Sequence, residues 1–177
     1  NMVVKSYEQK AYPKSAWPDI TFDKTMQFHF NGERIDLIHF GPAHTTGDAA
    51  VFFRGHNAVH MGDVYNNSGY PFIDAGKGGE FDGLIKFCSK TLKQIDENTV
   101  VIPGHGPISD YQGLADYIEM LTIIRKRMMT LINKGASLEE VYAAKITKEW
   151  DKKQGDPTRL INRAYMSLTH RILIEKR

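Results

Sequence analysis

Three short stretches of this chain place a metal-capable side chain at an expected strand end or beside a glycine. The first is Gly41-Pro42-Ala43-His44-Thr45-Thr46-Gly47-Asp48. The second is His60-Met61-Gly62-Asp63-Val64, and the third is Val101-Ile102-Pro103-Gly104-His105-Gly106-Pro107. Each lies at the end of a segment that reads as β-strand. A metal site needs imidazole and carboxylate groups converging from separate elements, and strand ends hold such groups better than mobile loop tips. Flanking glycines let the backbone turn sharply beside a ligand. A lone histidine is more often a hydrogen-bonded surface or core residue, so the weight lies in the three together, in this order.

The elements that must position them follow from local pattern. Residues 1–19, with Pro13 and Pro18, show no period and read as an irregular lead-in. Met26 to Phe30 alternates apolar and polar, Asn31-Gly32 suits a type I′ turn, and Arg34 to Phe40 runs back, which predicts a hairpin. Short strands are expected at Ala49 to Phe53 and Ala58 to Met61. A glycine-rich loop (Gly69 to Gly79) leads into a helix over Glu80 to Ile95, and the β-branched Thr99 to Ile102 reads as a buried strand. Ser109 with Gln112 resembles a capping box. It opens a helix with Leu114, Ile118, Leu121, Ile124, Met128 and Leu131 on one face. Ser137 with Glu140 caps a third helix. Asp156 before Pro157 opens the last, with Leu160, Ile161, Ala164, Tyr165, Leu168 and Ile172 buried. The charged run at Asp151 to Lys153 reads as a solvated loop. The order predicts an α/β (α+β) architecture: one domain over 1–177, with sheet and ligand loops in 20–108 and helices in 109–177.

A strand into x-H-T-x-G, then G-D, then a strand into G-H-G resembles the later motifs of the metallo-β-lactamase superfamily, over about Arg34 to Pro107. The resemblance implies half of an αβ/βα sandwich, with a mainly antiparallel sheet covered by helices. It implies that His44 completes the three-histidine site of a first metal, that Asp63 bridges two metals and is catalytic, and that His105 ligates the second. Zinc suits these donors, with iron or manganese as alternatives, in a dinuclear centre in the full-length protein. Asp48, after its turn, reads as a structural acid behind the ligands.

That family also carries an H-x-H-x-D-H motif in its N-terminal half. The seven histidines here (His29, His39, His44, His56, His60, His105 and His170) contain no such spacing. The resemblance therefore covers the second half of the fold, and the chain as it stands is expected to be inactive alone. The inner sheet face, with Val51, Phe53 and Val59, is expected to lie exposed. Covering such a face is worth roughly 10 kcal/mol at ~25 cal/mol per Å². The expectation is a partner, either a second copy of the chain or the missing N-terminal half.

The resemblance implies a hydrolase of acyl bonds (esters, thioesters, lactones) acting on a small molecule. Asp63 is followed by Val64-Tyr65-Asn66-Asn67 with no lysine to grip a drug carboxylate, which counts against antibiotic hydrolysis. Tyr65, Tyr70 and Phe72 are placed either to line a substrate pocket or to pack their loop. The competing reading is a non-catalytic half-domain that self-associates. Composition narrows the field: the net charge is only +2, with basic residues spread along the chain, which argues against nucleic acid. No run approaches the roughly 20 apolar residues that span a bilayer. The single cysteine, Cys88, sits in a helical apolar stretch and reads as a small buried hydrophobe.

Overall fold

A computed structural model describes residues 12–175, with side chains described as far as His170. Most of the lead-in, and the side chain of Ile172, lie outside those limits. The described part of the lead-in contains one 3-10 turn at Lys14–Ala16.

Strand β1 (Thr25–Phe30) and strand β2 (Glu33–Ile38) form the expected hairpin. Asn31 and Gly32 take φ of 51° and 77°, the left-handed pair that a type I′ turn requires. Strand β3 (Ala50–Phe53) pairs antiparallel with β2, and strand β4 (Ala58–His60) antiparallel with β3. The chain then crosses over through helix α1 (Phe81–Leu92), and strand β5 (Val100–Ile102) joins β4 in parallel. Spatial order follows chain order. Strands β2, β4 and β5 consequently run the same way, so their C-terminal ends lie along one edge of the sheet. All three glycine-flanked stretches follow those ends.

Register sorts the side chains onto two faces. The row Asp36–Phe52–Val59–Val101 points to the helices, and all four residues are buried. The rows Ile35–Phe53–Ala58–Val100 and Leu37–Val51–His60–Ile102 point the other way, joined from β1 by Phe28 and Met26. No described element covers that second face, and Phe28 and Val100 are exposed on it. Val51 and Phe53 lie on that uncovered face, as the sequence suggested, but are half-buried rather than exposed. The expectation fails for Val59, which pairs with Phe52 and is fully buried beneath the helices.

Helix α1 buries Phe81, Leu84, Phe87, Cys88 and Thr91 along one stripe. Helix α2 (Tyr111–Ile132) buries Leu114, Tyr117, Met120, Leu121, Ile124 and Met128. Arg125 on α2 clamps Asp82 on α1 through both carboxylate oxygens. The N-cap of α2 is Asp110, whose Oδ1 accepts the Gly113 N–H at 2.8 Å, and not Ser109 as the spacing suggested. Ser109 is committed elsewhere: its hydroxyl bonds the Tyr65 hydroxyl at 2.8 Å and its backbone pairs with Val101 in both directions. Helix α3 (Leu138–Ala143) begins with the Ser137/Glu140 capping box as expected. The charged run at Asp151–Lys153 is not a loop but part of helix α4 (Lys148–Gln154). Asp151 accepts from the Tyr70 hydroxyl at 2.8 Å, and Trp150 packs on the core. Helix α5 (Thr158–Glu175) closes the layer with Leu160, Ile161, Ala164 and Leu168 buried. Among the described residues, no helix is long and apolar enough to cross a membrane.

Candidate functional site

The three ligand-capable residues singled out by spacing meet at the shared edge of the sheet. Asp63 stands in the middle. Its Oδ2 lies 3.5 Å from His44 Nε2, and its Oδ1 lies 3.1 Å from His105 Nε2. One carboxylate thus presents a separate oxygen to each of two imidazoles.

Backbone contacts build this arrangement. Met61 N–H donates to Ile102 O at 2.9 Å, extending the β4–β5 pairing past the strand ends. Gly104 N–H donates to Gly62 O at 2.8 Å, which ties the Asp63 loop to the His105 loop. A Cβ on Gly104 would stand 2.5 Å from Asp63 Oδ1 and 2.5 Å from the Gly62 carbonyl carbon, so only glycine fits between them. His105 is held by its own carbonyl, which accepts the Asn67 N–H at 2.8 Å. The Asn67 amide also donates to Pro107 O at 3.0 Å.

His44 is fixed from three sides. Its carbonyl accepts the Asp74 N–H, and the neighbouring Ala43 carbonyl accepts the Glu80 N–H, each at 2.9 Å. Its Nδ1 lies 2.7 Å from Phe72 O. A carbonyl only accepts, so Nδ1 donates to it, and Nε2 is the nitrogen turned toward Asp63. Asp48 is a structural acid: its two oxygens accept from the Thr45 N–H (2.8 Å) and the Thr45 hydroxyl (3.1 Å), shaping the turn that presents His44. His39 donates to the Asp48 carbonyl at 2.6 Å. His60 spends its Nδ1 locally, accepting the Gly62 N–H at 3.1 Å.

The aromatics of the following loop divide. Tyr65 and Tyr70 pack: both are buried, with hydroxyls bonded to Ser109 and to Asp151. Burial raises both phenol pKa values, and the Asp151 carboxylate adds to the rise at Tyr70. Phe72 alone reaches the site, with its ring centroid 5.9 Å from that of His44. Sequence pattern did not point to the Phe72 carbonyl, because a backbone acceptor leaves no trace in residue type. It also missed Arg163 on α5, whose guanidinium sits over the Phe72 ring.

No family model matches the sequence, and no curated protein matches it. Solved structures do. The chain superposes on the stereoselective inverting sec-alkylsulfatase Pisa1 from Pseudomonas sp. with a TM-score of 0.66 and 17% identity, over 84% of this chain and 26% of that one. A double mutant of the sec-alkylsulfatase PisA1 gives 0.67 at 18% identity, with the same coverage. A metallo-β-lactamase from Pontibacter korlensis gives 0.52 at 19% identity, over 59% of this chain and 49% of that one. The fold is that of the metallo-β-lactamases. The chain spans half or less of the length of these structures. Within that fold the α/β architecture and the helix-covered sheet agree with the expectation from sequence.

Metal ions are implied by that fold, and the donor set here suits them in part. Each side of Asp63 offers one imidazole nitrogen and one carboxylate oxygen, which are zinc-type donors. Among the described residues, however, no group of three or more His, Cys, Asp or Glu side chains is placed to hold an ion. Catalytic zinc ordinarily takes three protein ligands. Each side of Asp63 therefore offers fewer protein ligands than that. The imidazole of His105, at 66% exposure, marks the open flank.

Proposed function

We propose that this chain contributes His44, Asp63 and His105 to the dinuclear metal centre of a metallo-β-lactamase-fold hydrolase, with its remaining ligands supplied by another segment or another copy. The observation that carries this reading is the placement of Asp63, one oxygen toward each Nε2. The named structural neighbours are hydrolases, which supports the reaction class.

A divalent ion bound there would acidify water and polarise the bond under attack. The residues of this chain do the positioning. Asp63 links the two sides of the centre. His44, its Nδ1–H locked on Phe72 O, keeps Nε2 free as a donor. His105, held through Asn67, faces the open flank. Zinc fits these donors, and so do iron and manganese. The absence of a lysine after Asp63 favours ester, thioester or lactone bonds over antibiotics as native substrates.

The uncovered sheet face favours a second element of this reading. Met26, Phe28, Ile35, Leu37, Val51, Phe53 and Ile102 share that face. Apolar area of that kind marks a contact surface. We assign it either to the N-terminal half of a longer protein or to a second copy of the chain. The same face also supports a non-catalytic, self-associating role if no metal binds.

Metal content by mass spectrometry, with size-exclusion chromatography in parallel, separates these. About one tightly held ion per chain, lost in His44→Ala and His105→Ala, is the expected result. An oligomer that stays metal-free in excess zinc would leave only the self-associating role for this chain.

A further inference from the structure

Four arginines of this chain hold carboxylates. Arg34 and Arg54 both bond Asp36, Arg125 holds Asp82, and Arg127 holds Glu149. Arg163, beside the site, holds none. It is half-buried, and among the described residues neither an ion pair nor a hydrogen bond engages it. Its guanidinium lies over the Phe72 ring, 5.1 Å from the centroid.

That position links it to the centre through a single residue. The Phe72 carbonyl holds His44 Nδ1, and the Phe72 ring stands 5.9 Å from the His44 ring. Helix α5 is pinned here, because the Phe81 N–H donates to the Ser167 hydroxyl at 3.0 Å, one turn after Arg163. Arg159 lies one turn before Arg163 on the same helix face, exposed, and adds a second positive charge nearby. A guanidinium stacked on a ring keeps its in-plane N–H donors free, in the fork geometry that matches a carboxylate or phosphoryl group. A partly desolvated cation without a counter-charge is unfavourable until an anion meets it. Phe72, 37% exposed, supplies apolar contact next to it.

We propose that Arg163 and Phe72 form the substrate-recognition wall of this site, receiving the anionic end, a carboxylate or phosphoryl group, of a substrate with an apolar body. The assignment deepens the hydrolase reading and rests on it for the word substrate; anion binding itself does not need the metal. Recognition works by charge-assisted hydrogen bonds from Arg163, while the reacting bond extends past Phe72 toward His44 and Asp63. Arg163 acts in binding, not in chemistry.

The test uses the full 177-residue chain stripped of metal by chelator, so that no bound ion competes for the anion. Hexanoate, hexyl phosphate and the neutral hexanamide are titrated by calorimetry and by NMR of the histidine ring signals. At least one anion is expected to bind tighter than hexanamide by about tenfold or more, the range of a charge-assisted hydrogen bond, and to shift the His44 signals. Whichever anion binds tighter identifies the headgroup. Arg163→Gln is expected to erase that preference while leaving hexanamide binding and the circular dichroism spectrum unchanged, and Arg163→Lys to keep part of it. Phe72→Leu keeps the charge and is expected to weaken all three ligands. Anions binding no better than hexanamide, or a preference that survives Arg163→Gln, would overturn the proposal. Zinc uptake is measured on the same variants. An anion preference in a chain that takes up no zinc retains this site and removes the metal reading; zinc uptake without the preference does the reverse.

Discussion

Gly104→Ala is the sharpest structural probe of the site. The added methyl would sit 2.5 Å from Asp63 Oδ1, 2.5 Å from the Gly62 carbonyl carbon and 2.6 Å from its oxygen. Cβ atoms essentially never approach heavy atoms below 3.0 Å, so the contacts must open by about half an ångström. The Asp63 side chain is able to swing, but two of the three clashes are with backbone. That backbone is held by the Gly104 N–H bond to Gly62 O and by the β4–β5 pairing behind it. Overpacking of this kind costs about 1–3 kcal/mol. For a chain of this length that is a fall in Tm of about 2–4 °C per kcal/mol. The larger effect is on Asp63, which must shift relative to both imidazoles; displaced ligand supports commonly cost about 10–100-fold in metal affinity. Gly47→Ala is the control from the first motif, since nothing lies within 4 Å of its Cβ and its φ is not positive. Zinc titration with a competing chelator, and a melting curve for each variant, decide the matter. Equal zinc affinity in Gly104→Ala and wild type would refute the claim that this close approach sets the geometry of Asp63.

Three further outcomes are expected. Asp36→Asn removes the shared acceptor of Arg34, Arg54 and Gln27 on the helix-covered face, and should destabilise the chain by about 1–3 kcal/mol at pH 7 in urea unfolding. The Arg34 and Arg54 hydrogen bonds hold the Asp36 carboxyl well below the usual carboxylate range, so its stabilisation is complete above the unfolded value and fades as pH falls through the folded one. The wild-type advantage should therefore shrink below about pH 4, and an advantage that grows on acidification would contradict this. Cys88, fully buried with its thiol pushed up by desolvation, should resist a thiol reagent at pH 8 until denaturant is added; complete labelling of the native chain within minutes would show that the α1 core opens. Val51→Lys and Phe53→Lys place charge on the uncovered face, and should abolish any self-association seen by size exclusion while leaving the melting temperature nearly unchanged.

Features governed by local rules were legible in the sequence. Asn31-Gly32 demands its turn, Ser137/Glu140 its capping box, and the apolar stripe around Cys88 its buried helix. The three ligand-capable residues were legible for a different reason: each follows a strand in a glycine-containing stretch, so order and spacing carried their convergence. What escaped was set at a distance. Ser109 looks like a cap until Tyr65, far away in sequence, claims its hydroxyl. Val59 faces the helices because the connection over 54–57 sets it in the row of Phe52 and not of Val51, a choice that neither residue type records. The run at Asp151–Lys153 looks solvated, yet Trp150 beside it packs on the core and Asp151 receives the Tyr70 hydroxyl. The tautomer of His44 depends on a backbone carbonyl, to which sequence is blind.

The open face ends close in sequence to the site. The row Leu37–Val51–His60–Ile102 crosses the uncovered face, and its last two members are the final residues of β4 and β5. Three residues beyond each lie Asp63 and His105. Whatever covers the apolar rows must therefore arrive at the edge where Asp63 stands between its two imidazoles, on the flank where His105 is most exposed. A partner sheet that contributed ligands would do both tasks in one docking event, burying Val51 and Phe53 while closing the donor set. Metal affinity and association are then thermodynamically linked, each strengthening the other by the same factor. In that case Val51→Lys lowers zinc affinity without touching a ligand, and His105→Ala weakens association without touching the apolar face. If the two variants act independently, the covering partner does not bring the missing ligands.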